Sequence, residues 1–267
     1  MKPITITAGA LFAAIFIAPA AQAEVQPAIF GAEQPRNESV FYVPYARFGL
    51  GAESAQFDDA YWESPGQDDP RVFFDLPDET GAMGYAALGV DWGKGVRAEI
   101  AVLGFGEKGV AGPWSYTEPA SEGPHASMSG TVSSGALMAN VFVSPLEVQG
   151  NTGRFQPFVM AGIGAARNDM GDWTRTNPDK IGNEVRSFEG DANTDVAWAI
   201  GLGAAWQIGE RGQKPVMLEL MYQHVDLGRA QGGSMPLPGS ETSEPREPFG
   251  FDVKTDVVSV GVRIPIR

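Results

Sequence analysis

The 267-residue chain contains no cysteine and only two histidines, His125 and His224. That set builds no disulfide framework, no thiolate metal site and no His-rich metal centre. Basic residues are scarce, with 19 Lys+Arg against 33 Asp+Glu and a formal net charge of −14. Nucleic acid as a partner requires a basic patch to meet phosphate, so the acidic balance argues against that class. Long apolar runs are missing as well. Beyond residue 23, no stretch approaches the roughly 18 consecutive apolar residues of a transmembrane helix. Glycine and proline, 34 and 20 residues, exceed their usual share but stay short of the level that implies disorder.

The one extended apolar stretch stands at the start. Met1-Lys2 is a short basic lead, Ala8–Ala18 an apolar core, and Ala21-Gln22-Ala23 an A-x-A cleavage site. This is the pattern of a secretory signal. The expected organisation is a signal peptide at 1–23, an N-terminal periplasmic segment at 24–39 and one β domain at 40–267. An exported chain with no later helical span is either soluble or a membrane β-barrel.

Spacing decides between these. Runs of β-branched and aromatic residues alternating at period two lie near 40–52, 83–92, 96–105, 131–143, 155–167, 195–207, 216–226 and 253–266. Such lengths are long for a globular strand and right for crossing a bilayer at a tilt. The connections alternate. Those at 54–80, 106–129, 168–194 and 228–251 are long; Gly93–Gly95, 144–154 and 208–215 are short. An up-and-down barrel with tight periplasmic turns and large outer loops has this alternation. Inside a compact soluble domain, loops of that length would count against the strands.

The faces agree. Val96, Ala98, Ile100 and Val102 oppose Arg97 and Glu99; Val196, Trp198, Ile200, Leu202 and Trp206 oppose Gly201, Gly203 and Gln207. Leu218, Leu220 and Tyr222 oppose Glu219 and Gln223, and Val258, Val260 and Val262 oppose Ser259, Gly261 and Arg263. One face is bulky and apolar, the other small or charged. A soluble ligand-binding barrel inverts that order. The expected fold is all-β: an eight-stranded antiparallel up-and-down transmembrane β-barrel with long extracellular loops.

Two residue sets follow from this fold. Trp198 and Trp206 lie on the apolar face and are separated by roughly 20 Å along the membrane normal, close to the spacing of two interfacial belts. With Trp92 beside its short turn and Tyr222, they form an expected aromatic girdle. The inward charges are Arg47, Asp91, Arg97, Glu99, Glu219 and Arg263. An unpaired buried ion costs several kcal/mol, so pairing is favoured over charges bathed in channel water. Arg47, Glu219 and Arg263 are expected to form a plug, with Asp91, Arg97 and Glu99 as a second cluster lower down.

Several segments resemble a known group. Gln156-Pro157-Phe158-Val159-Met160-Ala161-Gly162-Ile163-Gly164-Ala165 looks like the fifth strand of small outer-membrane barrels, and Val196-Ala197-Trp198-Ala199-Ile200-Gly201-Leu202-Gly203 resembles the next. Leu218–Tyr222 and Ser259–Arg263 are similar to the last two strands. The group is the opacity-type and outer-membrane-protein-A-like superfamily. The resemblance implies a place in the bacterial cell outer membrane among lipid and lipopolysaccharide, and a structural or adhesin-like role towards an extracellular ligand or surface partner. Two departures stand out. The sequence reads Ile264-Pro265-Ile266-Arg267 where the family has a closing aromatic residue, and no appended peptidoglycan-binding domain is expected.

Chemistry is thinly represented. His125-Ala126-Ser127 has the His-x-Ser spacing of barrel lipid A deacylases but lacks the following Asn. A serine nucleophile also needs an oriented base. His224-Val225-Asp226 reads as interfacial. Asp58, Asp59, Asp68 and Asp69 are weak candidates for a divalent cation, and a solvated acidic surface is the favoured reading. Segment 228–251, with four prolines, is expected to be mobile. No catalytic residue and no cofactor are expected. The leading role is surface interaction through the acidic loops; the alternatives are a small porin-like channel and, behind it, a lipid A-modifying hydrolase.

Overall fold

The computed structural model describes residues 42–121, 126–177, 185–240 and 242–266. The signal-peptide segment and His125 lie outside the described residues. Eight strands pair antiparallel into a closed ring: β1 (Val43–Glu63), β3 (Glu79–Asp91), β4 (Val96–Gly112), β6 (Ser127–Val143), β7 (Phe155–Met170), β10 (Asp191–Arg211), β11 (Lys214–Gln231) and β12 (Glu247–Pro265). Pairing of β12 with β1 closes it, in register from Tyr45↔Pro265 to Asp58↔Asp252 and irregular from there to Glu63↔Glu247. Four short strands stand at the outer end: β2 (Arg71–Phe74), β5 (Trp114–Glu118), β8 (Trp173–Thr176) and β9 (Val185–Phe188). A single-turn helix, α1 (Pro145–Val148), fills the turn between β6 and β7.

Stagger fixes the shape. From Val196, the row of paired residues runs through Ala165, Leu137, Val102, Ala86, Phe48, Val262 and Leu218, and returns to β10 at Trp206, ten residues further along. A ring of eight with that shear tilts its strands by about 40° and leaves an interior just wide enough for side chains.

Alternation sorts the two faces. Leu50, Ile163 and Val196 are 71%, 63% and 63% exposed, and Phe48, Leu88, Val102, Leu137, Ile200, Leu202, Leu220 and Val260 stand out beside them. A continuous apolar belt of this kind on a soluble monomer would drive association. Facing hydrocarbon, it is the lipid contact of a transmembrane barrel. Inward positions hold Tyr45, Tyr85, Met138, Phe142, Phe158, Met160, Met217 and Met221, all buried. Bulk there is matched by glycine on the neighbouring strands of the same wall. A Cβ on Gly261 would overlap the Tyr85 hydroxyl and crowd the Phe48 carbonyl oxygen.

The short turns lie at one end. Gly212 and Gln213, at φ 58° and 63°, make the two-residue turn between β10 and β11, the left-handed pair that suits the twist of a hairpin. That turn is much tighter than a 208–215 connection, because both strands run on beyond the belt. At the other end the strands overshoot by more. β1 and β10 reach 21 residues, about twice what a bilayer requires.

The long outer connections are therefore largely sheet. β2 pairs with β1 and β5, and β8 pairs with β6 and β9. Segment 228–251, expected to be mobile from its prolines, contributes residues to the packed cap. Phe249 and Phe251 within it are fully buried, and Pro236 bridges to Phe188. Burial of aromatic area outweighs local proline content there.

Gly261→Ala should lower the stability of the refolded barrel by about 1–3 kcal/mol, the usual cost of overpacking. Urea titration followed by heat-modifiable gel migration measures it. Wild-type stability in this variant would mean that Tyr85 is not packed against β12.

Candidate functional site

The turn-end half of the lumen is a charged network. The Arg47 guanidinium grips Glu99, with Nε donating to Oε2 at 3.0 Å and Nη2 to Oε1. Glu99 also accepts from the Tyr45 hydroxyl and from Asn140 Nδ2, each at 3.2 Å. Glu219 lies between Arg263, whose Nε donates to Oε1 at 2.9 Å, and Arg97 at 3.2 Å. Its second oxygen is 3.9 Å from Arg47 Nη1. Arg263 Nη1 continues to Asp91 Oδ2 at 2.9 Å, while Asp91 Oδ1 caps the next turn by accepting from the Gly93 amide.

Aromatic rings wall this network. Arg47 stacks over Tyr85 at 4.4 Å, and Arg97 lies between Phe142 and Phe158 at 4.4 and 4.6 Å. Three guanidiniums and three carboxylates thus neutralise one another behind cation–π contacts.

All six inward charges meet in one network, so the division into two clusters is corrected. Arg47 takes Glu99 as its main partner, and Glu219 serves Arg97 and Arg263. Adjacency along the sheet does not limit pairing, because in so narrow a ring an arginine on β4 reaches a carboxylate on β11 across the lumen. Tyr45 and Asn140 complete the network and had escaped notice, although period-two alternation puts both inward.

A second polar layer lies nearer the outer end. Lys108 Nζ donates to Glu53 Oε1 at 2.6 Å, and Thr255 Oγ1 donates to Glu53 Oε2 at 3.2 Å. Glu53 was legible from the alternation of β1. Lys108 was not, since a bulge between Phe105 and Lys108 shifts the parity of β4.

Above this layer is an apolar cap. Trp173 stacks on Phe188 at 4.1 Å and donates Nε1–H to the Gly233 carbonyl at 2.9 Å. Phe74, Phe249, Phe251 and Phe57 continue it through edge and tilted contacts of 5.3–5.6 Å.

The remaining candidates are dispersed. Trp92, Trp198, Trp206 and Tyr222 are exposed on the outward wall; Trp206 packs on Phe155 at 5.0 Å, and the Tyr222 hydroxyl donates to Asp256 at 2.8 Å. His224 Nδ1 is 2.9 Å from the same carboxylate. Asp58 pairs with Lys254 at 2.8 Å, and Asp59 begins an irregularity of β1 at φ 47°. Asp68 and Asp69 border an outer cleft of about 470 Å³ together with Arg71 and Arg246. Among the described residues, no group of three or more His, Asp or Glu could hold a metal ion. Ser127 Oγ donates to the Thr176 carbonyl at the edge of the cap.

At the turn end, a cavity of about 370 Å³ is bordered by Asp91, Glu147, Gln156 and Arg263. Burial, and then the neighbouring Asp91 charge, push the Glu147 carboxyl above its usual range.

The closed ring, its lipid-facing belt and its filled lumen define a small transmembrane β-barrel of the outer-membrane type. No protein-family model matches the chain, and no curated protein sequence matches it. Solved structures with similar strand arrangements include Neisserial surface protein A, at 11% identity over 84% of this chain and 97% of that one, with a TM-score of 0.44. OprG from Pseudomonas aeruginosa is 10% identical over 83% and 96% of the two chains, TM-score 0.45. The outer membrane protease OmpT from Escherichia coli is 8% identical over 86% and 99%, TM-score 0.46.

Glu219→Ala strands two arginines without their shared carboxylate and should destabilise the barrel by about 3–5 kcal/mol in urea titration. An unchanged midpoint would show that the network carries no net electrostatic constraint. Glu147 behaves in the opposite sense. Its raised folded pKa means that ionisation costs stability as pH rises through that value. Glu147→Gln should match wild type in urea midpoint near about pH 3.5 and exceed it near about pH 7.5. A gap that opens on the acid side would contradict the assigned direction.

Proposed function

We propose that this chain is a closed anchor in the bacterial outer membrane that presents a folded β cap to the outside, a structural and surface-interaction role. The carrying observation is that the lumen is occupied at three depths. The Arg47–Glu99–Glu219–Arg263 network, the Lys108–Glu53 pair and the Trp173–Phe188 core succeed one another along it. Paired ions and packed rings at these depths support this reading over a porin-like one, which would need a water column through them. Lipid and lipopolysaccharide surround the belt, with Trp92, Trp198, Trp206 and Tyr222 as interfacial anchors. Catalysis is not part of the reading. His224 is turned to Asp256 on the outer wall, and Ser127 is held by cap backbone. A surface partner would meet the cap.

The absence of native cysteine makes orientation directly testable. Asp68→Cys, near the tip of the cap, should react with a membrane-impermeant maleimide on intact cells. Lys94→Cys, in the β3–β4 turn, should react only after the outer membrane is opened. Labelling of Lys94→Cys alone on intact cells would invert the topology and sink the proposal.

A further inference from the structure

The cavity at the turn end has polar groups on its wall that the barrel itself leaves unused. Asp91 is spent, with one oxygen on Arg263 and the other on the Gly93 amide. Arg263 is spent on Glu219 and Asp91, and Gln207 Nε2 donates to Glu210 Oε1 at 3.1 Å. Two acceptors remain. The half-buried Glu147 carboxylate makes no hydrogen bond or ion pair among the described residues. Gln156 is 2% exposed, and its Nε2 donates to the carbonyls of Asn151 and Gly153 at 2.9 and 2.8 Å. Those bonds fix the orientation of the amide and leave its Oε1 buried without a donor.

Both groups cost stability as they stand. A buried acceptor without a donor forfeits its hydration, and the ionised Glu147 is disfavoured by burial and by the Asp91 charge. One kind of ligand relieves both, a cation that carries N–H donors. The charge on the wall agrees. Asp91, Glu147 and Glu210 border the cavity against Arg263 and Lys214, and Arg263 is already neutralised within the ion network. A divalent metal fits less well, since calcium takes about six to eight oxygens. Among the described residues, no group of three or more acidic or histidine side chains could hold one. Val43, Pro215, Met217 and Pro265 make the rest of the wall suited to methylene groups. The volume, about 370 Å³, lies in the range of small-molecule pockets.

We propose that this cavity binds a small aliphatic diamine, one ammonium of which donates to the Glu147 carboxylate and to Gln156 Oε1. An ammonium has three donors and no acceptor, so it answers a pair of acceptors and nothing on it is left unpaired by them. The methylene chain lies against Val43, Met217 and Pro265. The second ammonium lies towards Glu210, exposed at the rim, which favours a diamine over a monoamine of equal length. The site lies at the turn end of the ion network, with Tyr45, Asp91 and Arg263 on its wall, so binding requires no passage through the filled lumen.

The test titrates the full barrel, refolded in micelles, with cadaverine by isothermal calorimetry at neutral pH and physiological salt. Saturable binding is expected. Glu147→Gln, which keeps or raises urea stability at this pH, should weaken it about tenfold or more, the usual loss for a hydrogen bond to a charged group. The same diamine with both nitrogens trimethylated keeps its charge but lacks N–H donors, and should bind about tenfold less well. No binding by wild type, or unchanged binding by Glu147→Gln, would overturn the site. Equal binding of the trimethylated diamine would overturn the role of Gln156, and displacement by equimolar magnesium would overturn the amine in favour of a metal. Micelles impose no sidedness, so these outcomes are independent of the cell-labelling result that tests orientation.

Discussion

A ring of eight strands with a stagger of ten leaves room for side chains and little else, so each inward residue must suit those facing it in both volume and charge. The remainder of the structure answers that constraint. Tyr85 occupies space that Gly261 leaves open, and rings of Phe142 and Phe158 flank the Arg97 guanidinium. Charges inside so narrow a wall are removed from bulk water. Their desolvation is offset only when each meets an opposite partner with good geometry. Arg47 and Arg263 meet that condition through hydrogen bonds to Glu99, Glu219 and Asp91, whereas Arg97 approaches Glu219 at 3.2 Å without a hydrogen bond.

Such a network need not add raw stability, since apolar residues of equal volume could fill the same space. Here it ties together strands that are not neighbours in the sheet. Arg47 on β1 grips Glu99 on β4, and Arg97 on β4 reaches Glu219 on β11. A slip of one residue in any of these strands would turn a charge towards lipid. Asp91 joins the network to the β3–β4 turn, holding Arg263 with one oxygen and the Gly93 amide with the other. Beyond the membrane the constraint relaxes, and the strands, freed of the belt, continue into a cap built on ordinary aromatic packing.

Most of the barrel was legible in the sequence because lipid on one side and a filled lumen on the other impose strict alternation over eight strands. Leu218, Leu220 and Tyr222 against Glu219 and Gln223 carry that signal without ambiguity. The cap was not legible. A bulge before Lys108, the irregularity near Asp59 and short strands such as Trp173–Thr176 break the period just where the membrane ends. Pairing within the lumen was legible in membership, not in partners. Period two tells which side a charge faces, whereas contacts across the ring depend on tilt and stagger.

The most direct measurement is single-channel recording of the refolded wild-type barrel in a planar lipid bilayer. A lumen filled by paired charges and packed rings predicts insertion without steady conductance at neutral pH. Stable, ohmic openings in the wild-type protein would contradict it and make the barrel a channel.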